Sequence, residues 1–331
     1  MKIAIDAMGG DNAPCEIVKG SFLASKELKD TEILLIGQKG IIERELKKYG
    51  ANKSINIIQA DEVIGNDEPP VKAVRSKRDS SIVKGLEMLR KNDIDAFISA
   101  GSTGAFMVGA LLKVGRIKGI DRPALASIIP TTKGGTLFLD MGANTDLIPK
   151  NLVQFANMGA LYAEKVMNIN KPKVALLNIG KEKEKGSQLT KEAYKLLAKE
   201  SNINFVGNME ARELLEEGVD VLVSDGFSGN VLIKAVEGTA ISLFKLIRKE
   251  IESSIPSKIG GLLVKSRLKN VAKKLDYSEY GGAPFLGING VCIKCHGSSD
   301  ARAVKNAIIL GKIYVEQDII SELSKAFQQK E

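Results

Sequence analysis

Residues 2–28 read KIAIDAMGGDNAPCEIVKGSFLASKEL, and this stretch predicts a strand, a glycine-containing loop and a helix in that order. Lys2 to Met8 is a short aliphatic run of the kind that forms buried strands. Pro14 suits the first turn of a helix, and the apolar residues of Glu16 to Leu28 recur with helical spacing. The opening stretch is therefore predicted to be one βα unit.

The same alternation continues along much of the chain. Stretches with helical spacing, such as Ser80 to Leu89 and Leu152 to Val166, lie between short aliphatic runs. Strands that alternate with helices pack as βαβ units around a largely parallel sheet, so the predicted fold class is α/β. The further predicted strands are Ile33 to Gly37, Ile55 to Ala60, Asp95 to Ala100, Ala124 to Pro130, Thr136 to Met141, Lys173 to Gly180 and Val219 to Asp225.

After Ser228 long helical stretches replace this alternation. They are predicted at Val231 to Glu252, Lys258 to Leu275 and Asp300 to Phe327, with a glycine-rich loop or hairpin at Gly281 to Gly290. No low-complexity linker or clear repeat divides the chain. We therefore expect residues 1–331 to form a single compact α/β unit with an appended helical portion at about residues 231–280, although a bilobal arrangement stays open.

Composition narrows the class of protein. With 331 residues, 44% hydrophobic and 27% charged, the chain can form a sizeable core. No apolar run approaches the roughly 20 residues of a membrane span, and three cysteines without a secretory signal predict free thiols in the cytoplasm. The net charge of +8 favours anionic partners, while 5% aromatic residues and no Trp argue against nucleic acid.

Cys292, Cys295 and His296 superficially suggest a metal cluster. A zinc site needs about four ligands, and the sequence contains no second Cys or His pair, so we predict no metal. The two cysteines are better interpreted as small buried hydrophobic residues. His296 is the only histidine, and it is either structural or an acid and base that works near neutral pH.

Polar loops follow several of the predicted strands. Open α/β sheets bind ligands at the carboxyl ends of their strands. Gly101 to Ala105 stands between a strand and an apolar helical run, an arrangement that presents backbone amides to an anion. Each loop alone is also explained by turn and helix-cap chemistry, but five at one predicted edge indicate a site. The other four are Asp6 to Pro14, Leu139 to Asp146, Asn178 to Gly186 and Ser224 to Asn230.

In this order the loops resemble the bacterial phosphate acyltransferases of phospholipid synthesis. The resemblance covers nearly the whole chain, and no single motif is decisive. Ser102 departs from the pattern, in which we expect Asn in many relatives, although a hydroxyl can also donate to phosphate. The matching segments are IDAMGGDNAP, DEPPVKAVRSKRDSS, SAGSTGA, RPAL, LDMGANTD, NIGKEKEKG, NFVGNMEAR, SDGFSGN and YGGAPFLGINGVCIKCHG.

The resemblance implies a Rossmann-like three-layer αβα sandwich similar to phosphotransacetylases and isopropylmalate dehydrogenases. It also implies transfer of a long acyl chain from acyl carrier protein to inorganic phosphate, without a cofactor. The product, an acyl phosphate, would serve a glycerol-3-phosphate acyltransferase. The resemblance further implies that the protein forms a homodimer and makes peripheral contact with an anionic membrane.

Such a reaction defines what the site has to do. Phosphate is itself the nucleophile, so the protein must position it and stabilise the oxyanion at the acyl carbon. Protonation of the departing thiolate is an optional further task of the site. We predict that Gly101, Ser102, Thr103 and Gly104 hold phosphate. The predicted catalytic residues are Lys185 for charge, Asn144 and Asn230 as oxyanion donors, His296 or Lys185 as proton donor, and Asp225. Further substrate contacts are expected at Asp6, Gly9, Gly10, Asp140, Glu182 and Ser228.

Two basic segments suggest contact surfaces. Arg75, Lys77 and Arg78 could bind the acidic carrier protein or form a solvated loop. Pro256 to Leu275 contains six Lys or Arg and no acidic residue, and its apolar residues approximate one helical face. This pattern favours a helix on anionic lipid, while packing on a partner subunit is the alternative. The residues expected at the membrane are Ile259, Leu262, Leu263, Lys265, Arg267 and Leu268.

Two other functions stay open. A phosphotransacetylase acting on short acyl-coenzyme A could use a similar fold, and acyl-chain preference would separate the two enzymes. A non-catalytic adaptor at the lipid surface would show no phosphate-dependent turnover. A nicotinamide dehydrogenase is disfavoured, because the dinucleotide glycine pattern and its downstream acidic residue are missing.

Overall fold

The computed structural model describes residues 1–50, 54–132, 134–216, 218–274 and 281–328. The strands in these ranges are β1 Lys2–Asp6, β2 Glu32–Gly37, β3 Ile55–Gln59, β4 Ala96–Ser99, β5 Ala124–Leu125, β6 Ser127–Thr131, β7 Gly134–Leu139, β8 Lys173–Asn178, β9 Asn204–Glu210, β10 Val221–Val223, β11 Ala283–Leu286 and β12 Val291–Lys294. The α-helices are α1 Cys15–Glu27, α2 Lys39–Leu46, α3 Pro70–Ser76, α4 Ser81–Arg90, α5 Thr103–Gly109, α6 Pro149–Lys165, α7 Gln188–Leu197, α8 Gly226–Glu252, α9 Ile255–Lys274, α10 Ala301–Glu316 and α11 Ile319–Gln328.

The first sheet has the strand order β3-β2-β1-β4-β12-β11-β5. Strands β3, β2, β1, β4 and β12 are mutually parallel, and β11 runs antiparallel between β12 and β5. Strand β12 comes from the end of the chain, yet it lies beside β4 in the middle of the sheet. The carboxyl ends of β1, β4 and β12 therefore lie side by side.

The second sheet has the order β6-β7-β10-β8-β9. Strands β7, β10, β8 and β9 are parallel, and only β6 is antiparallel to its neighbour. Strand β5 of the first sheet and β6 of the second are separated by Ala126 alone. One short stretch of chain thus links the two sheets.

Helices cover both faces of each sheet. Ile3 and Ile5 of β1 belong to one core with α1 and α10, whereas Ala4 belongs to a second core with α4 and α5. In the second sheet, the core that contains Ile3 continues over one face onto α6, and Phe138 on the other face packs in a third core with Ile233 of α8. This alternation produces the three layers expected from the resemblance, and the α/β fold class is confirmed.

Several details differ from the sequence prediction. The strands form two sheets rather than one, and the run from Ala124 to Pro130 is divided between them. Strand β9 was not predicted. The glycine-rich segment Gly281 to Gly290 was predicted as a loop or hairpin and forms a hairpin in which β11 pairs with β12, although β12 itself was not predicted. The predicted helix from Asp300 to Phe327 breaks into α10 and α11 near Asp318, whose φ of 48° lies in the left-handed region.

Helices α8 and α9 pack against each other. A Cβ at Gly261 of α9 would lie 2.2 Å from Ile251 Cγ2 of α8, so glycine permits their close approach. The helical spacing of about 100° per residue divides the apolar residues of α9 into two stripes instead of the single predicted face. Val264, Leu268 and Val271 fall nearer the Gly261 side. Leu275, the last residue of the predicted helix, lies outside the described residues.

The other stripe of α9 points away from α8. We call Ile255, Ile259, Leu262 and Leu263 the outer stripe; these side chains are 75%, 59%, 71% and 80% exposed. A folded chain normally covers so many neighbouring large apolar side chains. No helix in the described ranges combines the length and apolar character needed to span a bilayer.

Candidate active site

Asp6, Ser99 and Lys294 form a polar row at the carboxyl ends of three neighbouring parallel strands. Ile5 pairs in register with Ile98, and Ser99 pairs with Lys294, so the three side chains follow one another across the sheet. Ser99 Oγ donates to Asp6 Oδ2 at 2.7 Å. All three side chains are buried at the position where ligands bind in α/β folds.

Asp6 holds the first loop in place. Its carboxylate accepts from Ser99, Ser81 and the backbone N–H groups of Met8 and Gly9, while burial raises its pKa above the ordinary value. A Cβ at Gly9 would lie 2.3 Å from Asp6 Oδ2 and 2.6 Å from Gly101 N. Only glycine therefore fits where this loop meets the next one.

The Gly101–Gly104 loop joins β4 to α5. Gly101 N donates to Ser99 Oγ at 3.0 Å, and Ser102 caps the helix by accepting from Ala105 N. The N–H groups of Ser102, Thr103 and Gly104 stand before or within the first helical turn, where no intrahelical acceptor is available. Thr103 is exposed. The loop thus has the strand–loop–helix arrangement on which the predicted anion site depends, and phosphate binding there stays a prediction.

Lys294, like Ser99, belongs to this row but was not predicted from the sequence. Its side chain is only 6% exposed, and its Nζ donates to Ala100 O at 3.3 Å and to Cys295 O. Burial lowers its pKa from 10.5 to about 8, against the opposing effect of the Cys295, Asp6 and Asp11 charges. The available signal was its position between Cys292 and Cys295, which were both predicted to be buried, since lysine is almost never fully buried unless it is paired.

His296 is exposed beside this row. Its Nδ1 accepts from Ser298 N at 3.2 Å and lies 2.8 Å from Ser298 Oγ. Desolvation, with Lys234 and Lys294 nearby, lowers its pKa below the usual 6.5, and Glu237 and Asp11 oppose this effect. The ring is therefore mainly neutral near neutral pH, and its proton resides on Nε2 when Nδ1 accepts a backbone hydrogen bond.

Helix α8 lies on the other side of His296. Lys234 and Glu237 of this helix are close enough to affect the charge of His296. Asn230 is exposed one turn before Lys234, and residues four apart lie on the same side of a helix. The structure thus brings the predicted residue Asn230 to the helix face that His296 meets.

Asp140 organises the second wall of the site. Its buried carboxylate accepts from the backbone N–H groups of Leu125, Ala143 and Asn144 at 3.0, 3.1 and 2.8 Å, and burial raises its pKa. Asn144 Nδ2 donates to Asp140 Oδ2 at 2.9 Å and to Pro123 O at 2.7 Å. Both amide hydrogens of Asn144 are thereby engaged. Asn144 would have to release one of these bonds to act as an oxyanion donor.

The first turn of α8 packs directly on this loop. Asp225 caps the helix by accepting from Ser228 N at 2.9 Å. A Cβ at Gly226 would lie 2.3 Å from Asn144 O, and one at Gly229 would lie 2.0 Å from Asp140 O. The helix start therefore cannot move toward the loop, and exposed Ser228 is fixed beside it.

Lys185 and Glu182 stand on the loop after β8. Strand β10 separates β8 from β7, so this loop lies beyond the Asp225 loop along the same edge of the second sheet. Lys185 N donates to Glu182 O at 3.1 Å, and Asn178 Nδ2 donates to Lys185 O at 3.0 Å. Within the described residues, the exposed Lys185 ammonium has neither a hydrogen bond nor an ion pair. It is available to an anion but stands at the margin of the site.

The predicted carrier-binding residues differ in their exposure and in their hydrogen bonds. Arg75 and Arg78 are exposed. Lys77 Nζ lies 2.7 Å from both Glu68 Oε1 and Val63 O, and so it stabilises the preceding loop. Helix α3, which contains Arg75, packs against α5, and a Cβ at Gly104 would lie 2.7 Å from Pro70 Cγ. The arginines are therefore close in the fold to the Gly101–Gly104 loop.

Comparison with known sequences identifies relatives over the whole length. The family model described as "Fatty acid synthesis protein" matches residues 1–322. A phosphate acyltransferase from Thermoanaerobacterium thermosaccharolyticum is 49% identical over 99% of this chain and 97% of that protein. A phosphate acyltransferase from Clostridium botulinum is 51% identical over the full length of both chains.

Solved structures with a similar fold have much less similar sequences. A phosphotransacetylase from Streptococcus pyogenes matches with a TM-score of 0.62 and 16% identity over 96% of this chain and 94% of that one. A phosphotransacetylase from Staphylococcus aureus matches with a TM-score of 0.60 and 16% identity over 95% and 94%. At such low identity the likeness concerns the fold alone, and it agrees with the fold class expected from the sequence.

Proposed function

The chain belongs to the phosphate acyltransferases of the fatty acid synthesis protein family, and we propose that it transfers a long acyl chain from acyl carrier protein to inorganic phosphate. The products are an acyl phosphate, which supplies phosphatidic acid synthesis, and free carrier protein. Membership makes it an acyl-transferring enzyme. The donor and the pathway are the proposal.

One observation in particular supports a phosphate substrate. The backbone N–H groups of Ser102, Thr103 and Gly104 lie directly after β4 and have no acceptor among the described residues. The buried ammonium of Lys294 donates to Ala100 O, just before them in the chain. An anion at the loop would accept hydrogen bonds from these N–H groups and lie near the positive charge of Lys294. Backbone donors at a helix start together with a cation form an anion site in many proteins.

The chemistry then needs little from the protein beyond positioning and charge. A phosphate oxygen attacks the thioester carbon, the carbonyl oxygen becomes an oxyanion, and the C–S bond breaks as the acyl phosphate forms. Neutral His296, with its proton on Nε2, and exposed Asn230 are our candidates for stabilising the oxyanion, because preorganised donors act where charge develops. Lys185 would attract the anionic substrates from the margin.

Acyl carrier protein is proposed to dock over Arg75 and Arg78. Both are exposed, and their segment packs beside the helix that follows the Gly101–Gly104 loop. Complementary charge mainly accelerates the encounter of two proteins. Reversing the charge of Arg75 or Arg78 to Glu should therefore raise the KM for the carrier substrate, and more strongly at low salt than at high salt. The matched control is Lys72→Glu, an exposed lysine of the same helix.

The outer stripe of α9 is proposed to contact an anionic membrane, and a second copy of the chain is its alternative partner. Liposome flotation of Leu262→Gln and Lys265→Gln separates apolar insertion from electrostatic attraction. Loss of binding in Leu262→Gln without a change in sedimentation supports membrane contact. A shift to monomer supports a homodimer contact, and intact binding and assembly would exclude both. At the membrane the glycerol-3-phosphate acyltransferase could receive the acyl phosphate.

The deciding experiment measures thiol release from palmitoyl-acyl carrier protein with and without inorganic phosphate, together with detection of acyl phosphate. Phosphate-dependent release supports the proposal. Release from acetyl-coenzyme A alone would indicate a short-chain phosphotransacetylase instead. Absence of release from both donors would favour a non-catalytic adaptor at the lipid surface.

A further inference from the structure

Lys294 is a buried cation whose ammonium has more N–H groups than hydrogen-bond acceptors. Its Nζ has hydrogen bonds to Ala100 O and Cys295 O, and a protonated amine has three N–H groups. Within the described part of the chain, the third N–H group of Lys294 has no acceptor. The two carbonyl oxygens belong to the residue before the Gly101–Gly104 loop and the residue before His296, so the ammonium lies between the two segments that would hold phosphate and the oxyanion.

Placing a lysine there is costly for the fold. An ammonium needs water or a paired charge, and Lys294 is nearly excluded from solvent. A neutral residue could fill the same volume at less cost. Buried ionisable groups that face a cleft and lie beside other polar groups are often retained for chemistry.

We infer that Lys294 is the acid that protonates the thiolate leaving from the acyl donor. This inference rests on the proposed transfer of an acyl group from a thioester to phosphate. As the tetrahedral intermediate collapses, the electron pair of the C–S bond moves to sulfur, and sulfur takes a proton from Lys294 Nζ. The products are an acyl phosphate, a neutral thiol and a neutral amine, and the amine regains its proton from water.

The acid strengths of the two groups are well matched. An ordinary thiol has a pKa of about 8.5, close to the value of about 8 to which burial lowers Lys294. Proton transfer between groups of similar pKa has no large uphill step. The groups whose charges affect Lys294 are Cys295, Asp6 at the end of β1 and Asp11 in the loop that follows. The adjacent His296 is affected by Lys294 and Asp11, and by Lys234 and Glu237 of α8.

Neither earlier candidate for the proton donor matches as well. The lowered pKa of His296 leaves few protonated rings near pH 8, and its Nδ1 accepts a hydrogen bond from Ser298 N. Lys185 is exposed, on the outermost of the site loops. Lys294 is the buried one of the three, and desolvation favours transfer of its proton.

The test varies the leaving group. Wild type, Lys294→Met and Lys294→Arg are compared on palmitoyl-acyl carrier protein and on the palmitoyl thioester of an aromatic thiol, whose thiolate leaves without a proton. Lys19→Met, at an exposed position of α1, is the control, and circular dichroism monitors folding. We expect Lys294→Met to lose roughly 100-fold or more in kcat on the carrier substrate, within the usual 10²–10⁴ for a general acid, and less than about tenfold on the aryl thioester.

Arginine separates charge from proton donation. It keeps the positive charge but does not lose its proton below a pH of about 12, so Lys294→Arg should retain the KM for phosphate while kcat falls. The wild-type kcat should also decline above about pH 8, and this decline should be absent in the variant. Equal losses on both thioesters, or an unchanged pH profile, would overturn the inference while the proposed function stands. Wild type without phosphate-dependent release would instead remove the proposed function.

Discussion

The ionisation of Lys294 can be tested through stability, independently of any substrate. We compare wild type with Lys294→Met, which preserves most of the side-chain volume and removes the charge. The pKa of Lys294 is 10.5 in an unfolded chain and about 8 in the folded protein, because burial disfavours the ammonium. Since a pKa unit corresponds to about 1.36 kcal/mol, retaining the ammonium in the fold costs about 3 kcal/mol near pH 7.

The sign of the pH dependence follows from proton counting. Between pH 8 and pH 10.5 the unfolded wild-type chain keeps a proton on Lys294 that the folded protein has released. Stability rises with pH wherever the unfolded state binds more protons. Between about pH 7 and about pH 10 the wild type should therefore gain about 2.5 kcal/mol relative to Lys294→Met.

Lost hydrogen bonds do not obscure this result. Lys294→Met leaves Ala100 O and Cys295 O without their donor, which adds an offset of about 1–3 kcal/mol per group that changes little with pH. Urea unfolding of both proteins at several pH values measures the difference directly, provided each transition is two-state. A difference that stays within about 0.5 kcal/mol across this range would show that the folded lysine has an ordinary pKa and refute the reasoning.

Three further predictions concern the walls of the site. Gly229→Ala should lower the free energy of unfolding by about 1–3 kcal/mol or more in urea denaturation, because its Cβ would lie 2.0 Å from Asp140 O. Gly238→Ala is the control: it lies in the open middle of α8, and it should raise the free energy of unfolding by about 0.5–1 kcal/mol. Asn144→Ala should lower the midpoint of thermal unfolding, because buried Asp140 loses a hydrogen-bond donor. Asn230 is exposed, so Asn230→Ala should lower kcat and leave that midpoint unchanged. The opposite pattern would make Asn144 the catalytic residue and Asn230 the structural one. Thr103→Ala should raise the KM for phosphate about fivefold at nearly constant kcat in steady-state assays, and an unchanged KM would remove Thr103 from the phosphate site.

Local signals in the sequence predicted much of the fold. Aliphatic runs such as Ile33 to Gly37 identified buried strands, because both faces of a parallel strand are covered by helices. The division into two sheets was not predictable in this way. It depends on whether Ala124 to Pro130 pairs with β11 or with β7, and strand pairing is a tertiary property. Strand β9 escaped notice because its side chains are mostly half-buried or exposed.

The site shows the same division between local and tertiary information. The loops after the strands were predictable because glycine and polar residues interrupt apolar runs. The sequence could not tell that the amide of Asn144 is engaged with Pro123 and Asp140, or that Lys77 is paired with Glu68. Lys294 was passed over because Cys292, Cys295 and His296 around it have more familiar chemistry, and only burial distinguishes it from the many surface lysines.

The position of β12 also constrains how the protein matures during synthesis. Val291 follows Ser99 by 192 residues (291 minus 99), yet the two strands are neighbours in the finished sheet. At translation rates of about 5–20 residues per second, β4 would wait roughly 10–40 s on the ribosome with one edge unpaired. A nascent chain is therefore inactive and open to wrong pairing until β12 emerges, and holdase chaperones should engage it most strongly in that interval.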